Sequence, residues 1–322
     1  MRISVVIAAY NAVPLLESTL TSVAAQTRAA DEVIVVDDGS TDGTAALAAA
    51  LGARVISTPN RGVSAARNTG IINASGDWIA LLDADDLWHP DKLARQAYAV
   101  SLAPDAALAS CDHYQFHGND DVVLASILDA RRQRYVELGP QELAPGVSRL
   151  RAMGTRLVSI GMAFFPSTWL LRRDLAIAIG GFDESLRRCE DYEFLLRALA
   201  HGDLLVVDAP LMGYRIHAGG VSRNAEAMAS SLVQVGERLA GHPDRYAPGA
   251  VSAFAPRMRE ALLESAAFLL KRGDSLRAHT LLARAGAIRR DPLWLALTVA
   301  SRLPVRWVAA LSAARHRLGR RC

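Results

Sequence analysis

The sequence predicts an α/β fold with a mostly parallel, doubly wound sheet, followed by a helical region. Two observations lead to this prediction. Short apolar runs alternate with segments of helical periodicity through the first two-thirds of the 322 residues, and from about Asn224 the pattern is helical throughout. Strand–helix alternation of this kind produces parallel strands with helices on both faces. We therefore expect a first domain over residues 1–223 and a helical C-terminal region over 224–322.

The first half of the predicted sheet consists of regular β–α units. Residues 3–9 are almost uninterruptedly apolar, as expected for a strand covered on both faces, and Leu16, Leu20 and Val23 then recur at helical spacing after Pro14. The same logic predicts further strands over 32–36, 54–57, 78–82 and 106–111. The intervening helices are predicted over 40–51, over 63–74 and after Pro90.

The pattern is less regular in the next part of the chain. Residues 112–161 mix strand-like pieces with a predicted helix around 147–153, and we interpret them as the variable, substrate-facing part. Regular periodicity returns with a strand over 167–171, a turn at Gly180-Gly181-Phe182-Asp183, a helix over 192–200 and a strand over 204–207. These elements extend the α/β pattern to the start of the helical region.

Composition excludes several classes of protein. Hydrophobic residues make up 51% of the chain and charged residues 21%, which is typical of a soluble globular protein and not of a disordered one. The cysteines, Cys111, Cys189 and Cys322, have no metal-binding spacing and indicate a reducing, cytoplasmic compartment. The N-terminal apolar run is short and meets Tyr10 and Asn11, so it indicates a strand and not a signal peptide.

Two carboxylate clusters follow predicted strands, at the edge where open α/β sheets bind ligands. Asp37-Asp38-Gly39-Ser40 offers acceptors for a base or ribose, or alternatively caps the next helix. Asp83-Ala84-Asp85-Asp86 crowds three carboxylates onto one turn, which is costly unless a cation lies among them. Mg²⁺ or Mn²⁺ suits such oxygen ligands and bridges to phosphates. The alternative is a solvated acidic turn.

Two later features are ambiguous on their own. Glu190 and Asp191 open a predicted helix, where the helix dipole alone favours carboxylates. His217 ends the segment Tyr214-Arg215-Ile216-His217, and a single histidine is more often a surface or core residue than a ligand. Both features become informative only together with the motifs that precede them.

Taken in order, these motifs resemble those of the family 2 glycosyltransferases, which have the GT-A fold. The resemblance covers roughly residues 1–220 and is carried by the ordered set, since no single member is specific. The segments are 4–11, 32–42, 60–68, 82–86, 180–183, 190–191 and 214–217.

The resemblance implies a site for a nucleotide-diphosphate-sugar donor. Its donor-binding residues would be Ala8, Tyr10, Asp38, Arg67, Asn68 and Asp83. Within that set the first three would surround the base and the last would contact the ribose. It further implies that Asp85 binds a divalent metal, Mn²⁺ or Mg²⁺, that His217 approaches the metal or the diphosphate, and that Asp191 is the catalytic base.

The predicted reaction is an inverting single displacement. A metal neutralises the leaving diphosphate, and a carboxylate takes the proton of the attacking acceptor hydroxyl. We expect a UDP-sugar donor, a glycan or lipid-linked acceptor, a role in cell-surface polysaccharide synthesis, and no nucleic acid partner. Because the Gln/Arg-x-x-Arg-Trp element of processive synthases is not found, a single addition fits better.

Other functions are less compatible with the sequence. Hydride-transferring Rossmann enzymes and sugar nucleotidyltransferases would need a glycine-rich turn after the first strand, where residues 8–13 read Ala-Ala-Tyr-Asn-Ala-Val. A non-catalytic nucleotide-sugar-binding or scaffold protein of the same fold stays open as the alternative. The loss of Asp85 or Asp191 would have favoured it, and both are present.

The end of the chain is strongly basic. From Lys271 onward, one lysine and eleven arginines face only Asp274 and Asp291, so the rest of the chain is net negative. Residues 291–321 mix leucine and tryptophan with arginine. They are interrupted near the middle by arginines and a proline, whereas a spanning helix needs about 20 apolar residues. We predict that this segment forms an interfacial helix on anionic lipid, which places the protein peripherally at the inner membrane face. Deletion of residues 291–322 is then expected to abolish lipid binding without unfolding the enzyme. The alternative is a packed helical cap.

Overall fold

The computed structural model describes residues 1–118, 121–160, 164–217 and 224–302. The chain divides into two compact units, which are described separately. The first comprises residues 1–220 and 244–248, and the second comprises residues 221–243 and 249–322. The boundary predicted after residue 223 lies close to the first of these breaks.

The first unit is α/β. Its strands are β1 (Ile3–Ala9), β2 (Glu32–Asp37), β3 (Arg54–Ser57), β4 (Trp78–Asp83), β5 (Leu87–Trp88), β6 (Leu108–His117), β7 (Asp121–Leu124), β8 (Gln141–Ala144), β9 (Val147–Leu150), β10 (Leu170–Arg172) and β11 (Leu204–Ile216). Its helices are α1 (Val13–Ala24), α2 (Thr44–Ala50), α3 (Val63–Asn73), α4 (Lys92–Leu102), α5 (Ile127–Ala130), α6 (Arg132–Glu137), α7 (Met153–Ile160), α8 (Arg173–Ala178) and α9 (Glu190–Ala198).

The strands form one sheet in the order β3-β2-β1-β4-β10-β6-β11-β9-β8, with β5 and β7 at its margins. Strands β1 to β4 are mutually parallel, and β6 is parallel to β11. β10 is antiparallel to both β4 and β6, so the two parallel groups run in the same direction. The predicted, mostly parallel central sheet is therefore confirmed. The antiparallel strand β10 lies between its two parallel groups, and β9 is antiparallel to β11 next to the β8 edge.

Helices cover both faces of the central sheet. Val5 and Ile7 of β1 share a buried core with Leu16 of α1 on one face. Val6 points to the other face and lies under α3, where Gly70 permits a very close approach. A Cβ at Gly70 would come within 2.2 Å of a Val6 methyl carbon. The sheet is thus doubly wound, which explains why β1 is apolar at every position except Ser4, whose hydroxyl donates to a Glu32 carboxylate oxygen.

Several predicted elements have different limits in the structure. The helix predicted over 40–51 begins only at Thr44, because the Asp42 carboxylate accepts hydrogen bonds from the Thr44 amide and hydroxyl and holds the preceding residues in a loop. The strand predicted over 204–207 extends to Ile216 because β6 pairs with it along this length. The strand predicted over 167–171 is a 3₁₀ turn, Pro166–Thr168, followed by the short β10.

The helix predicted around 147–153 is wrong. Val147 and Leu150 have the spacing of one helical face, but residues 147–150 form β9, which is antiparallel to both β8 and β11. Hydrogen bonding to two neighbouring strands outweighs the local preference. The helix of this region, α7, begins at Met153 instead.

The second unit is helical in its described part, as predicted. Its helices are α10 (Ala225–Gly241), α11 (Ala250–Lys271), α12 (Ser275–Ile288) and α13 (Pro292–Ala300). The side chains of Asn224, Asp274 and Asp291 accept hydrogen bonds from first-turn amides and cap three of these helices. Across the described ranges, the helices are all too short or too polar to cross a bilayer. The arginines and tryptophan predicted for the tail beyond residue 302 lie outside the described residues.

Candidate active site

The candidate site lies at the carboxyl ends of the parallel strands. Ala8 is in register with Val36 of β2 on one side and with Asp83 of β4 on the other. The loops that follow these three strands therefore meet at one edge of the sheet, where α/β folds bind their ligands. Tyr10, just past β1, presents its side chain to solvent with 53% of its surface exposed. The structure thus brings together the predicted donor-binding residues Ala8, Tyr10 and Asp83.

Asp38 holds the loop in front of α3. Its two carboxylate oxygens accept the backbone N–H groups of Arg61 at 2.9 Å and of Gly62 at 2.7 Å. Gly62 has a φ of 99°, a conformation that favours glycine. Asp38 is therefore neither the cap of α2 nor free of protein contacts. It positions a loop, a role that the sequence did not reveal, and its contact with the donor base stays a prediction.

The Asp83–Asp86 loop is anchored by a serine that sequence analysis missed. The Ser167 hydroxyl accepts the backbone N–H of Asp83 at 3.0 Å and donates to Asp86 Oδ2 at 2.6 Å. Burial, together with the charges of Asp85 and Asp83, raises the pKa of Asp86 well above its ordinary value. Ser167 lies 81 residues from Asp86 in sequence, in a segment without a motif, so only the tertiary structure brings the two together.

Asp85 and His217 lie next to each other at the open side of this loop. His217 Nε2 is 2.9 Å from Asp85 Oδ2, and the two side chains are 33% and 38% exposed. Burial raises the pKa of Asp85, the charge of Asp83 adds to the effect, and His217 opposes it. Arg215 fastens the end of β11 to the loop, since its Nε donates to the Asp85 carbonyl at 2.9 Å.

This pair has the donor chemistry of a divalent metal site. Within the described residues, no group of three or more His, Cys, Asp or Glu side chains is arranged to hold a metal. Mg²⁺ and Mn²⁺ are commonly bound by one or two protein ligands, with phosphate oxygens and water completing the coordination. A carboxylate and an imidazole that are both partly exposed fit that mode of binding, because they leave room for further ligands.

Arg67 is buried between two carboxylates. Its Nη2 donates to Asp83 Oδ1 at 2.6 Å and its Nη1 to Glu190 Oε1 at 2.9 Å, while the guanidinium lies over the ring of Phe182. Burial acts to lower the pKa of Arg67, but the charges of Asp83 and Glu190 outweigh it and raise the pKa. With 5% of its surface exposed, Arg67 is an internal bridge. Its contact with the donor stays a prediction.

Asn68 fixes the glycine turn that precedes α9. Its amide donates to the Phe182 carbonyl at 2.9 Å and accepts the Phe182 N–H at 2.7 Å. Gly181 has a φ of 68°, and a Cβ there would lie 2.4 Å from Asn68 Oδ1. The predicted turn is thus present, and its glycine is required by both conformation and space. Asn68 was predicted to lie near the donor. The structure shows it positioning this turn.

Asp191 stands in the first turn of α9, after Cys189 in a left-handed conformation with a φ of 58°. Its Oδ1 accepts the Tyr192 N–H at 2.7 Å. The pKa of Asp191 is raised to about 7: burial raises it most, the charge of Glu190 adds to the rise, and Arg67 opposes them. A carboxyl group that changes protonation near neutral pH is suited to accept a proton from an attacking hydroxyl.

Comparison with known proteins identifies the family of this chain. The sequence model of Glycosyl transferase family 2 matches residues 4–157. The succinoglycan biosynthesis protein ExoO of Rhizobium meliloti is 34% identical over 229 residues, covering 69% of this chain and 62% of ExoO. The glycosyltransferase YwdF of Bacillus subtilis is 31% identical over 202 residues, covering 62% of this chain and 68% of YwdF. The chain belongs to glycosyl transferase family 2. The matched range of the family model contains Asp85 and ends before Asp191 and His217, so the later part of the site is not covered by that model.

Solved structures show the fold of this family 2 member. S. aureus TarS 1–349 in complex with UDP-GlcNAc superposes with a TM-score of 0.65 at 18% identity, covering 94% of this chain and 89% of that one. The mannosyltransferase PcManGT from Pyrobaculum calidifontis, in complex with GDP-Man and Mn²⁺, has a TM-score of 0.57 at 22% identity, with coverages of 96% and 86%. The predicted GT-A fold is confirmed. This chain spans about three-fifths of the length of ExoO.

Proposed function

We propose that this chain is an inverting glycosyltransferase that transfers a sugar from a nucleotide-diphosphate donor to an acceptor hydroxyl in a single displacement. One observation carries the proposal. Arg67 joins the carboxylate loop at the end of β4, where a donor diphosphate would bind, to the start of α9, where Asp191 has a pKa of about 7. A leaving-group site and a candidate base are thus held in one buried network.

Asp85 and His217 would hold the divalent metal, and its chemistry when bound is to neutralise the charge that develops on the leaving diphosphate. The protein's own contribution is to keep both side chains in place. Arg215 and Ser167 fix the loop from two directions, through the Asp85 carbonyl and through Asp86 and the Asp83 amide. The Mn²⁺ in the PcManGT complex supports a metal of this kind.

Asp191 would take the proton of the acceptor hydroxyl as its oxygen attacks the anomeric carbon. The attack comes from the face opposite the diphosphate, so the configuration of the sugar is inverted. The Tyr192 N–H bonded to Asp191 Oδ1 sets the orientation of the carboxylate. This leaves Oδ2 as the oxygen that we assign to the proton transfer.

The donor and acceptor classes follow from the comparisons as proposals. TarS holds UDP-GlcNAc and PcManGT holds GDP-Man, and we propose a UDP-sugar, with a GDP-sugar as the second candidate. ExoO acts in succinoglycan biosynthesis, and we propose a glycan or lipid-linked acceptor of cell-surface polysaccharide synthesis. Asp38, Ala8 and Tyr10 would surround the base at the sheet edge.

A panel of nucleotide sugars tests the proposed function directly. The purified full-length protein with Mn²⁺ is expected to release the nucleoside diphosphate from one UDP-sugar at least tenfold faster than from the other donors. Release should stop after chelation and recover when Mn²⁺ is restored. Tight binding of a donor by calorimetry, without release in the presence or absence of acceptor extracts, would instead support the non-catalytic, scaffold alternative.

We further propose that the helical region docks on anionic lipid. The Trp294 indole of α13 donates to the Leu282 carbonyl at 2.7 Å and so fixes the helix to α12. The outward face remains apolar, with Leu293, Leu295 and Val299 each about half exposed. Exposed arginines at 289, 290 and 302 flank this face. An apolar helix face between basic residues complements an anionic bilayer surface, where a lipid-linked acceptor would be found.

We expect the protein to co-sediment with phosphatidylglycerol-containing vesicles at low salt and not with pure phosphatidylcholine vesicles. A variant with Leu293→Gln, Leu295→Gln and Val299→Thr should bind at least tenfold more weakly with an unchanged melting temperature. Ile72→Gln, which alters an exposed apolar residue of α3, is the matched control. These substitutions are a more specific test than deleting 291–322, because the deletion also removes the hydrogen bond from Trp294 to the Leu282 carbonyl of α12. Equal binding of all three proteins would contradict docking by α13.

A further inference from the structure

We infer that Glu190 is a positioning residue for Asp191: through its ion pair with Arg67 it ties the start of α9 to the loop after β4, and its negative charge favours the protonated form of Asp191. The inference rests on the proposed function, because it concerns the residue assigned there as the base. It adds a role for a side chain that the motif alone places only at a helix start.

Arg67 forms its direct ion pairs with Asp83 and Glu190. In the described structure, Nη2 contacts Asp83 at 2.6 Å and Nη1 contacts Glu190 at 2.9 Å, whereas Asp191 accepts from the Tyr192 backbone. The side chains of Arg67 and Glu190 are 6% and 10% exposed, so solvent screens this pair little. Glu190 thus occupies the guanidinium nitrogen that faces α9.

The balance of charge explains the state of the third carboxyl group. One cation, Arg67, faces three carboxyl groups, those of Asp83, Glu190 and Asp191, and full ionisation would leave two uncompensated negative charges. Asp83 and Glu190 each have a direct ion pair, so Asp191 is the group on which a proton is most favourable. The pKa of Asp191 agrees: burial raises it most, the Glu190 charge is the next contribution, Arg67 opposes them and Asp83 adds to the rise.

Glu190→Gln removes the negative charge of this side chain and keeps its shape. The amide oxygen still accepts the hydrogen bond of Arg67 Nη1, but the negative charge beside Asp191 is gone. We expect the midpoint of the acidic limb of kcat to fall by about one pH unit or more, the size of a unit-charge interaction at this range in a partly screened interior. The donor KM should stay within about threefold, and the ratio of kcat at pH 6 to kcat at pH 8 should rise several-fold.

Glu193→Gln is the matched control on the same helix. Glu193 is also buried, but its carboxylate pairs with Arg197 and accepts the Tyr246 hydroxyl at 2.7 Å. Its replacement is expected to lower the melting temperature and leave the midpoint of the acidic limb unchanged. A purely structural role for Glu190 predicts this same behaviour for Glu190→Gln. If Glu190→Gln does not fold, Glu190→Asp takes its place. Because this variant retains the charge, the midpoint of its acidic limb of kcat is expected to equal that of the wild type.

A direct titration makes the result independent of turnover. The Asp191 carboxyl carbon, assigned in ¹³C-aspartate-labelled protein by its loss in Asp191→Asn, should titrate near neutral pH in the wild type and at least one unit lower in Glu190→Gln. An unchanged midpoint in Glu190→Gln overturns the inference and leaves the proposed function intact. A shifted midpoint in a protein that transfers no sugar supports the electrostatic role and contradicts the proposed function.

Discussion

Replacing Asp191 with asparagine is expected to lower kcat by on the order of 10²- to 10⁴-fold, the usual contribution of a general base. The amide preserves the shape of the side chain and the acceptor oxygen for the Tyr192 N–H, so α9 keeps its first turn. It lacks a basic oxygen to receive the acceptor's proton. The Kd of the donor should change by less than about threefold, so that binding and chemistry separate.

The wild-type enzyme should also show a specific pH dependence. Asp191 acts as a base only when it is deprotonated, and its pKa is about 7. The rate constant kcat is therefore expected to rise with pH through about 7 and to fall about tenfold per pH unit well below it. Asp191→Asn should lack this limb. Initial rates measured from pH 5.5 to 8.5 at saturating donor and metal provide the test.

Asp174 offers a matched control for the capping role. It lies in the first turn of α8, and its Oδ1 accepts the N–H of the next residue, Leu175, at 2.6 Å, much as Asp191 does in α9. Asp174→Asn should retain both kcat and the pH limb. If Asp191→Asn binds donor and turns over as fast as Asp174→Asn, Asp191 only stabilises the start of its helix.

Removing the Asp85 carboxylate is expected to abolish metal-dependent transfer. Asp85→Ala leaves His217 as the one side chain of the proposed pair, so both Mn²⁺ affinity and the metal-dependent part of donor binding should be lost. We expect a decrease in kcat/KM of at least 10³-fold, since a metal supplies several kcal/mol of stabilisation to the developing charge. The fold should persist, because the side chain is 38% exposed and contributes little to the core.

Calorimetry distinguishes this result from general damage. Wild-type protein should bind the UDP-sugar more tightly with Mn²⁺ than with EDTA, whereas Asp85→Ala should bind it equally weakly in both. Asp244→Ala, which removes an exposed carboxylate outside the loop, should behave as wild type. Full transfer activity after exhaustive chelation would contradict the assignment of Asp85 to a metal. If kcat of the chelated enzyme still rose with pH through about 7, the assignment of Asp191 as the base would be unaffected.

The structure agrees best with the sequence where the signal is local. The strand over 3–9 and the strand over 54–57 have their predicted limits. In the first of them, an almost uninterrupted apolar run bounded by polar residues determines a buried strand without help from distant residues. The Gly180-Gly181 turn is similar, since both glycines have the positive φ that their type permits. Agreement fails at 147–150, where pairing with β8 and β11 outweighs helical spacing.

Sequence patterns alone predict the class of fold, the family resemblance and the carboxylates at the ends of strands. What each carboxylate contacts depends on the tertiary structure. Asp38 is held by loop amides, Asp86 is bonded to Ser167, and Glu190 shares Arg67 with Asp83. The physical reason is that hydrogen bonds and charges act over a few ångströms in space, whereas these partners are 16 to 123 residues apart in the chain. A motif can specify where a strand ends, but the pKa of Asp191 depends on the burial and the charges that surround it in the folded chain.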